Sequence, residues 1–178
     1  MINQPNNIFL IGPMASGKTT IGRKLAKRTS KKFYDSDKEI TKSTGAKISL
    51  IFEIEGDIGF RKRETKIISK LVLLKNIVLS TGGGTILIEE NRNMLVENGI
   101  IVYLKSSARE IFNRTSEDKS RPLLQGNNRL SKIKEILNQR EPIYKSLANE
   151  IIDTDNFVAE EIIREILKRI KKYENNKC

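Results

Sequence analysis

Short, uninterrupted apolar runs alternate along this chain with segments whose apolar residues recur every three or four positions. The first run, Asn7–Gly12 (NIFLIG), ends in glycine. Phe33–Tyr34, Asn76–Ser80 (NIVLS), Gly99–Leu104 (GIIVYL) and Ile151–Ile152 are of the same kind. Such runs predict strands buried on both faces. Helical stretches are expected at Lys18–Arg28, Asp37–Thr44, Ile48–Glu55, Asp57–Leu74 and Ser107–Arg114. Another covers Ser131–Leu147, interrupted or bent near Pro142. The last stretch, Phe157–Ile170, has apolar residues at 158, 162, 163, 166, 167 and 170. Polar residues 116–128, with Arg121-Pro122 and Gly126, read as a long loop. The alternation predicts one α/β domain, residues 1–178, built on a parallel sheet with helices on both faces. Ligands of such sheets bind beyond the carboxyl ends of the strands.

Composition narrows the chemistry. The chain has no histidine, and its one cysteine is Cys178. Ser-His-Asp and Cys-His catalysis and histidine-based zinc sites are excluded. Carboxylates, lysine, arginine, hydroxyls, backbone amides and a hard metal ion are left. No apolar run approaches the length of a membrane span. The opening MINQPNNIFLIG lacks the basic start and cleavage site of a signal peptide. The expectation is a cytoplasmic protein with no membrane partner. A net charge of +11 admits nucleic acid, but the basic residues are spread along the chain. Aromatic residues make up 6%, and no known nucleic-acid motif is present, so no nucleic-acid partner is expected. The expected state is a monomer.

Directly after the first strand stands Gly12-Pro13-Met14-Ala15-Ser16-Gly17-Lys18-Thr19. It matches the phosphate loop G-x-x-x-x-G-K-[ST] between a strand and a helix. Backbone N–H groups there point at phosphates, and the helix adds its positive N-terminal end. Gly12, Ala15, Ser16, Gly17, Lys18, Thr19 and Thr20 are the candidate ATP-binding residues. Lys18 is expected at the β/γ-phosphates, and the Thr19 hydroxyl on Mg²⁺. The short chain and the lack of a guanine-reading N-K-x-D motif favour a small-molecule or nucleotide kinase. Tyr34-Asp35-Ser36-Asp37 then places two carboxylates on one side of an extended segment. One suits the metal; the other suits the acceptor hydroxyl, which must be oriented and deprotonated. Asp37 could equally cap the helix that follows.

The chain resembles the shikimate kinases from about Asn7 to about Ile170. The matching stretches are IFLIGPMASGKTTIGRKLA, FYDSDKEI, IFEIEGDIGFRKRE, VLSTGGG, IIVYL, RTSEDKSRPLL and NQREPIYKSLA. The resemblance implies a nucleoside-monophosphate-kinase-like fold with a five-stranded parallel sheet and a mobile lid at about 116–128. It implies transfer of phosphate from ATP to shikimate, giving shikimate 3-phosphate on the way to chorismate and the aromatic amino acids. It gives Asp37 the acceptor hydroxyls and the role of base, and Asp35 the magnesium. Arg61 and Arg140 would hold the shikimate carboxylate, and Gly82, Gly83 and Gly84 would lie beside the substrate. Arg121 would be the lid arginine closing over the phosphates, and Arg114 would lie near the adenine.

Spacing adds a physical reason to some of these roles. Arg61 precedes Glu64 by three residues, so the two share a helix face. Without the resemblance, Arg61 beside Lys62 and Arg63 reads as a solvated charge, and Arg121 as an exposed loop residue. Arg140, four after Ile136 and three after Leu137 on the edge of the apolar face, reads equally as leaning toward the protein or as snorkelling. Ala15 departs from the glycine common in the family, and alanine is expected to need ordinary backbone angles there. Thr19 for serine keeps the hydroxyl; Ser80 and Lys145 are further departures. Another small-molecule P-loop kinase, such as a gluconate kinase, is the alternative. The Arg61, Arg140 and triple-glycine set discriminates between the two.

Overall fold

β1 (Ile8–Ile11), β2 (Lys32–Asp35), β3 (Ile77–Ser80), β4 (Ile100–Lys105) and β5 (Glu150–Asp153) pair in parallel, in the order β2-β3-β1-β4-β5. The computed structural model describes residues 7–116 and 128–175. Each strand falls where the apolar runs predict it, within one or two residues. β1 is central, and its side chains alternate between two cores. Ile8 and Leu10 face one side, Phe9 and Ile11 the other.

The first core is closed by α1 (Lys18–Arg28) and α7 (Ala159–Asn175), through Ile21, Leu25, Ile162, Ile163, Ile166 and Ile170. The second is closed by α3 (Ile48–Leu71), α4 (Glu89–Asn98) and α6 (Arg129–Leu147), through Ile68, Leu71, Leu95 and Tyr144. Burying one such side chain fully contributes about 1.5–3 kcal/mol. The two layers therefore hold the carboxyl end of β1 from both faces. Two shorter helices, α2 (Ser36–Thr44) and α5 (Ala108–Thr115), follow β2 and β4 directly.

Several elements differ from the sequence pattern. The helices expected at Ile48–Glu55 and Asp57–Leu74 join as α3, broken at Gly56, whose φ of 66° and ψ of −172° are not helical. That conformation is open essentially to glycine alone. α3 stops at Leu71, and Leu73 and Leu74 beyond it are exposed. α6 is not interrupted at Pro142. Pro142 and Asn138 are both exposed, so the helical bond that proline forfeits leaves a carbonyl that water can reach. Residues 85–98 have no clear apolar period, yet they form a 3₁₀ turn, Thr85–Leu87, and α4. Met94, Leu95 and Val96 are consecutive, and only Leu95 is fully buried. Val158 falls before α7 and is exposed. Among the described residues no helix is long and apolar enough to cross a membrane.

Gly99 joins α4 to β4 against the fully buried Phe9. A Cβ at Gly99 would stand 2.6 Å from the Phe9 ring. Gly99→Ala is expected to destabilise the protein by about 1–3 kcal/mol through overpacking. A chain of this size should then melt lower by about 2–4 °C for each kcal/mol. An unchanged melting temperature would mean that the ring yields freely.

Candidate active site

The loop Gly12–Gly17 turns from β1 into α1 at the carboxyl edge of the sheet. Gly12 has φ +144°, and a Cβ there would stand 2.5 Å from the Leu104 carbonyl oxygen. Glycine is needed both for the dihedral and for the close approach to β4. The Lys18 ammonium turns back and donates to the carbonyls of Gly12 at 2.9 Å and Pro13 at 2.6 Å. The loop therefore holds its own cation. Ala15 does not keep ordinary backbone angles: its φ is +57°, left-handed. Such a conformation costs an alanine roughly 1–2 kcal/mol. Its carbonyl is held at 3.2 Å by Arg114, which fastens the turn.

A cavity of about 540 Å³ opens over this loop. Its walls include Ala15–Thr20, Asp35, Asp37, Gly83, Arg114 and Phe157. Arg114 is anchored by Glu110 at 2.8 Å and by the Thr154 carbonyl at 3.0 Å. Thr19 donates its hydroxyl proton to Asp35 at 2.6 Å, so both residues assigned to a metal already touch. The other Asp35 oxygen accepts from the backbone N–H of Asp37 and Lys38. Asp35 is thus the cap of α2, and Asp37, inside the first turn, is released from that role.

The side where the acceptor is expected is built around Glu64, which has no exposure to water. It accepts from Arg61 at 2.7 Å and from the Thr85 hydroxyl at 2.6 Å. Arg61 is not a solvated charge: its side chain is 11% exposed, and Asp57 stands 3.3 Å from its Nε. That Nε is out of line for a hydrogen bond and has no hydrogen-bond partner among the described residues. Lys62 and Arg63 are the solvated neighbours, and Arg63 pairs with Glu55 across the Gly56 break.

The three glycines after β3 each face something different. A Cβ on Gly82 would stand 2.8 Å from Glu64 and 2.9 Å from Asp37. One on Gly83 would meet Gly12 and Met14 of the phosphate loop at 3.5 Å. One on Gly84 would collide with the Arg61 guanidinium. At Gly82 and Gly84 the close approach needs the missing side chain, while a Cβ on Gly83 would make only ordinary contact.

Burial, and then Asp35 and Glu64, push the Asp37 carboxyl up to about 6, against the pull of Lys18 and Arg61. Arg140 is half-buried on α6 and, with Arg61, opposes the rise that burial gives the pKa of the Tyr144 hydroxyl. Both candidate arginines therefore act on one buried point. Arg121 and residues 117–127 lie outside the described residues. Arg129 donates to the carbonyls of Thr115 and Ser116, where the chain leaves for that segment.

Sequence reasoning missed Ser36, Thr85 and Tyr144. The Ser36 hydroxyl accepts from the Gly82 N–H at 2.9 Å, and the Tyr144 hydroxyl donates to the Gly83 carbonyl at 2.5 Å. Tyr144 carried a usable signal: a buried phenol one helical turn after Arg140 needs a partner.

A phosphate loop on the central strand, a paired hydroxyl and carboxylate beside it, and the sheet order define a P-loop kinase of the nucleoside-monophosphate-kinase-like class. Comparison with known proteins narrows the class. The family model "Shikimate kinase" matches residues 14–171. The shikimate kinase of Nitrosococcus oceani is 52% identical over 167 residues, covering 94% of this chain and 88% of that protein. The shikimate kinase of Methylococcus capsulatus is 45% identical over 166 residues, 93% of each chain. A solved structure of the Acinetobacter baumannii shikimate kinase in complex with shikimate superposes with a TM-score of 0.92 at 44% identity. The superposition covers 97% of this chain and 96% of that one. The chain belongs to the shikimate kinase family.

The raised Asp37 pKa carries a sign. Its native value, about 6, exceeds the ordinary 3.8, so the native state binds the proton more tightly than the unfolded one. The nucleotide-free, magnesium-free protein should therefore gain stability as pH falls from about 6 toward 4, and that gain should be absent above 6. Asp37→Asn should remove this dependence and raise the melting temperature at pH 7–8 by about 2–4 °C, the response to about 1 kcal/mol. Melting curves across pH check this; a lower melting temperature for the variant would restore the capping role.

Proposed function

We propose that this protein transfers the γ-phosphoryl group of ATP to the 3-hydroxyl of shikimate, giving ADP and shikimate 3-phosphate. The observation that carries the reading is the Gly82–Gly84 turn, which touches the Asp37 and Glu64 carboxylates, the phosphate loop and the Arg61 guanidinium in succession. A small acceptor lying on that turn would have a carboxylate at its hydroxyl, an arginine at its far end and the phosphates beside it. The acceptor oxygen attacks the γ-phosphorus, the bond to the β,γ-bridging oxygen breaks, and the hydroxyl proton passes to Asp37. A carboxylate with a pKa near 6 is mostly ionised at neutral pH and is a better proton acceptor than an ordinary one. Lys18, held by two loop carbonyls, would neutralise charge on the transferring group.

Arg61 and Arg140 would grip the acceptor carboxylate, and Arg114 with Ala15–Thr20 would bind the nucleotide. Arg121 is assigned to closure over the phosphates. Thr19 and Asp35 would hold Mg²⁺, and their hard oxygens suit that ion. When bound, the ion would offset charge on the β- and γ-phosphate oxygens. No group of three or more carboxylate, cysteine or histidine residues suited to a metal exists among the described residues. That fits an ion held mainly by substrate phosphates and water.

Two variants test the assignment in an assay that couples ADP release to shikimate, to gluconate or to no acceptor. Wild type should turn over with shikimate and magnesium and show only background with the others. Turnover with gluconate in place of shikimate would select the alternative reading. Lys18→Met should abolish turnover and leave the fold intact; a folded, active variant would remove the phosphate loop from the mechanism. Arg61→Lys keeps the charge and loses the planar fork. Losing one charge-assisted bond, about 1.5–3 kcal/mol, should weaken shikimate roughly 10- to 100-fold and leave ATP unaffected. Unaltered shikimate affinity by calorimetry would refute the carboxylate grip.

A further inference from the structure

Tyr144 lies fully buried on α6, four residues after Arg140, and so on the same helix face. Its hydroxyl donates to the Gly83 carbonyl at 2.5 Å, a bond that spans 61 residues of sequence. Its ring stacks on Tyr103 of β4, with centroids 4.9 Å apart and planes at 22°. The phenol therefore has one position, fixed by the sheet. From there it reaches the middle residue of the glycine turn, the one that lies against the phosphate loop.

The same hydroxyl feels Arg140. Burial pushes the Tyr144 pKa up to about 12, and the charge and hydrogen bonding of Arg140 oppose that push, with a smaller pull from Arg61. Arg140, one helical turn earlier, thus bears with its charge on an oxygen whose proton is already committed to Gly83. A phenol oxygen has lone pairs left after donating, and a guanidinium only donates. A bond donated by Arg140 to that oxygen would be compatible with the one to Gly83 and would run in the same direction.

We propose that Tyr144 is a positioning residue for the acceptor, orienting the Arg140 fork and fixing the Gly83 backbone through one hydroxyl. The proposal rests on the assignment of Arg140 and the glycine turn to the acceptor. It separates Tyr144 from its stacking partner in a way a purely structural role does not. The Tyr103 hydroxyl is also buried, but it has no hydrogen-bond partner among the described residues. The two phenols share a stack, and only one of them is bonded to the site.

The test is a pair of hydroxyl deletions, Tyr144→Phe and Tyr103→Phe, with steady-state kinetics for both substrates and thermal melting. Both variants keep the aromatic stack. Tyr144→Phe should raise the KM for shikimate about 10-fold, the effect of one lost hydrogen bond to a charged or fixed group. It should change kcat less than about 3-fold and leave the KM for ATP unchanged. Tyr103→Phe should leave every kinetic parameter unchanged and melt no lower than wild type, since it removes a buried polar group that has no partner.

A cycle with Arg140→Lys keeps the proposal testable even if Tyr144→Phe melts low. If Tyr144 acts through Arg140, the double variant should lose less shikimate affinity than the product of the two single losses. Equal rises in both KM values, an unaltered shikimate KM, or a fully additive cycle would each overturn the proposal. A wild type that phosphorylates no shikimate would instead fail in its own control, and would remove the acceptor assignment together with this inference.

Discussion

Glu64 is an ionisable carboxylate that water does not reach, and a buried charge persists only where partners surround it. Those partners come from three places. Arg61 is on its own helix, Thr85 is in the turn after β3, and Gly82 leaves the space it occupies. Removing Arg61 would leave the charge short of its counter-ion, and removing Glu64 would leave the Thr85 hydroxyl without its acceptor. The requirement therefore ties α3 to the carboxyl end of β3, and nearly everything on the acceptor side hangs from that tie. It fixes the Arg61 guanidinium, sets the height of the glycine turn and supplies part of the field that keeps Asp37 basic.

The nucleotide side is organised by the sheet. β1 lies between β3 and β4, so the phosphate loop leaves the sheet next to the glycine turn. The hydroxyl of Thr81 and its N–H both donate to the Leu10 carbonyl at 3.1 Å, which locks the two exits together. β2 lies on the far side of β3 and delivers Asp35 and Asp37 from that edge. The Thr19–Asp35 bond then closes the circuit between the first and second strands. The phosphate loop, the residues proposed for the metal and Asp37 are brought together by strand order, from positions up to 25 residues apart in sequence between Gly12 and Asp37.

The strands were legible because each is a continuous apolar run, and the phosphate loop because its glycines and lysine have fixed spacing. α4 was not legible: its apolar residues are adjacent in sequence, and a helix held against the core by Leu95 and its neighbour Met94 shows no period. The role of Asp35 as a cap was hidden for a different reason. Asp35 and Asp37 both stand near a helix start, and spacing cannot say which carboxylate meets the N–H groups. Arg61 read as a surface charge because Lys62 and Arg63 follow it, and only the packing of Glu64 beneath turns it inward. Tyr144 belongs to the same class. Its meaning depends on a carbonyl 61 residues away, and no local pattern reports that. Ala15 shows the converse: the residue was visible, but its left-handed backbone was not.

Gly56 differs in kind from the other glycines of the site. Gly82 and Gly84 are small because neighbours fill the space; near Gly56 nothing lies within 4 Å of where a Cβ would be. Its requirement is in the backbone dihedrals alone, at φ 66° and ψ −172°. This has an evolutionary consequence. A substitution at Gly82 or Gly84 could be relieved in packing only by shrinking Glu64, Asp37 or Arg61, which would restore the space and lose the proposed site. A substitution at Gly56 has no such partner to repair it. Second-site reversion there would have to come from a change in the chain path, such as an insertion or deletion near the break. Of these three glycines, Gly56 is the one whose replacement no change of a neighbouring side chain can accommodate.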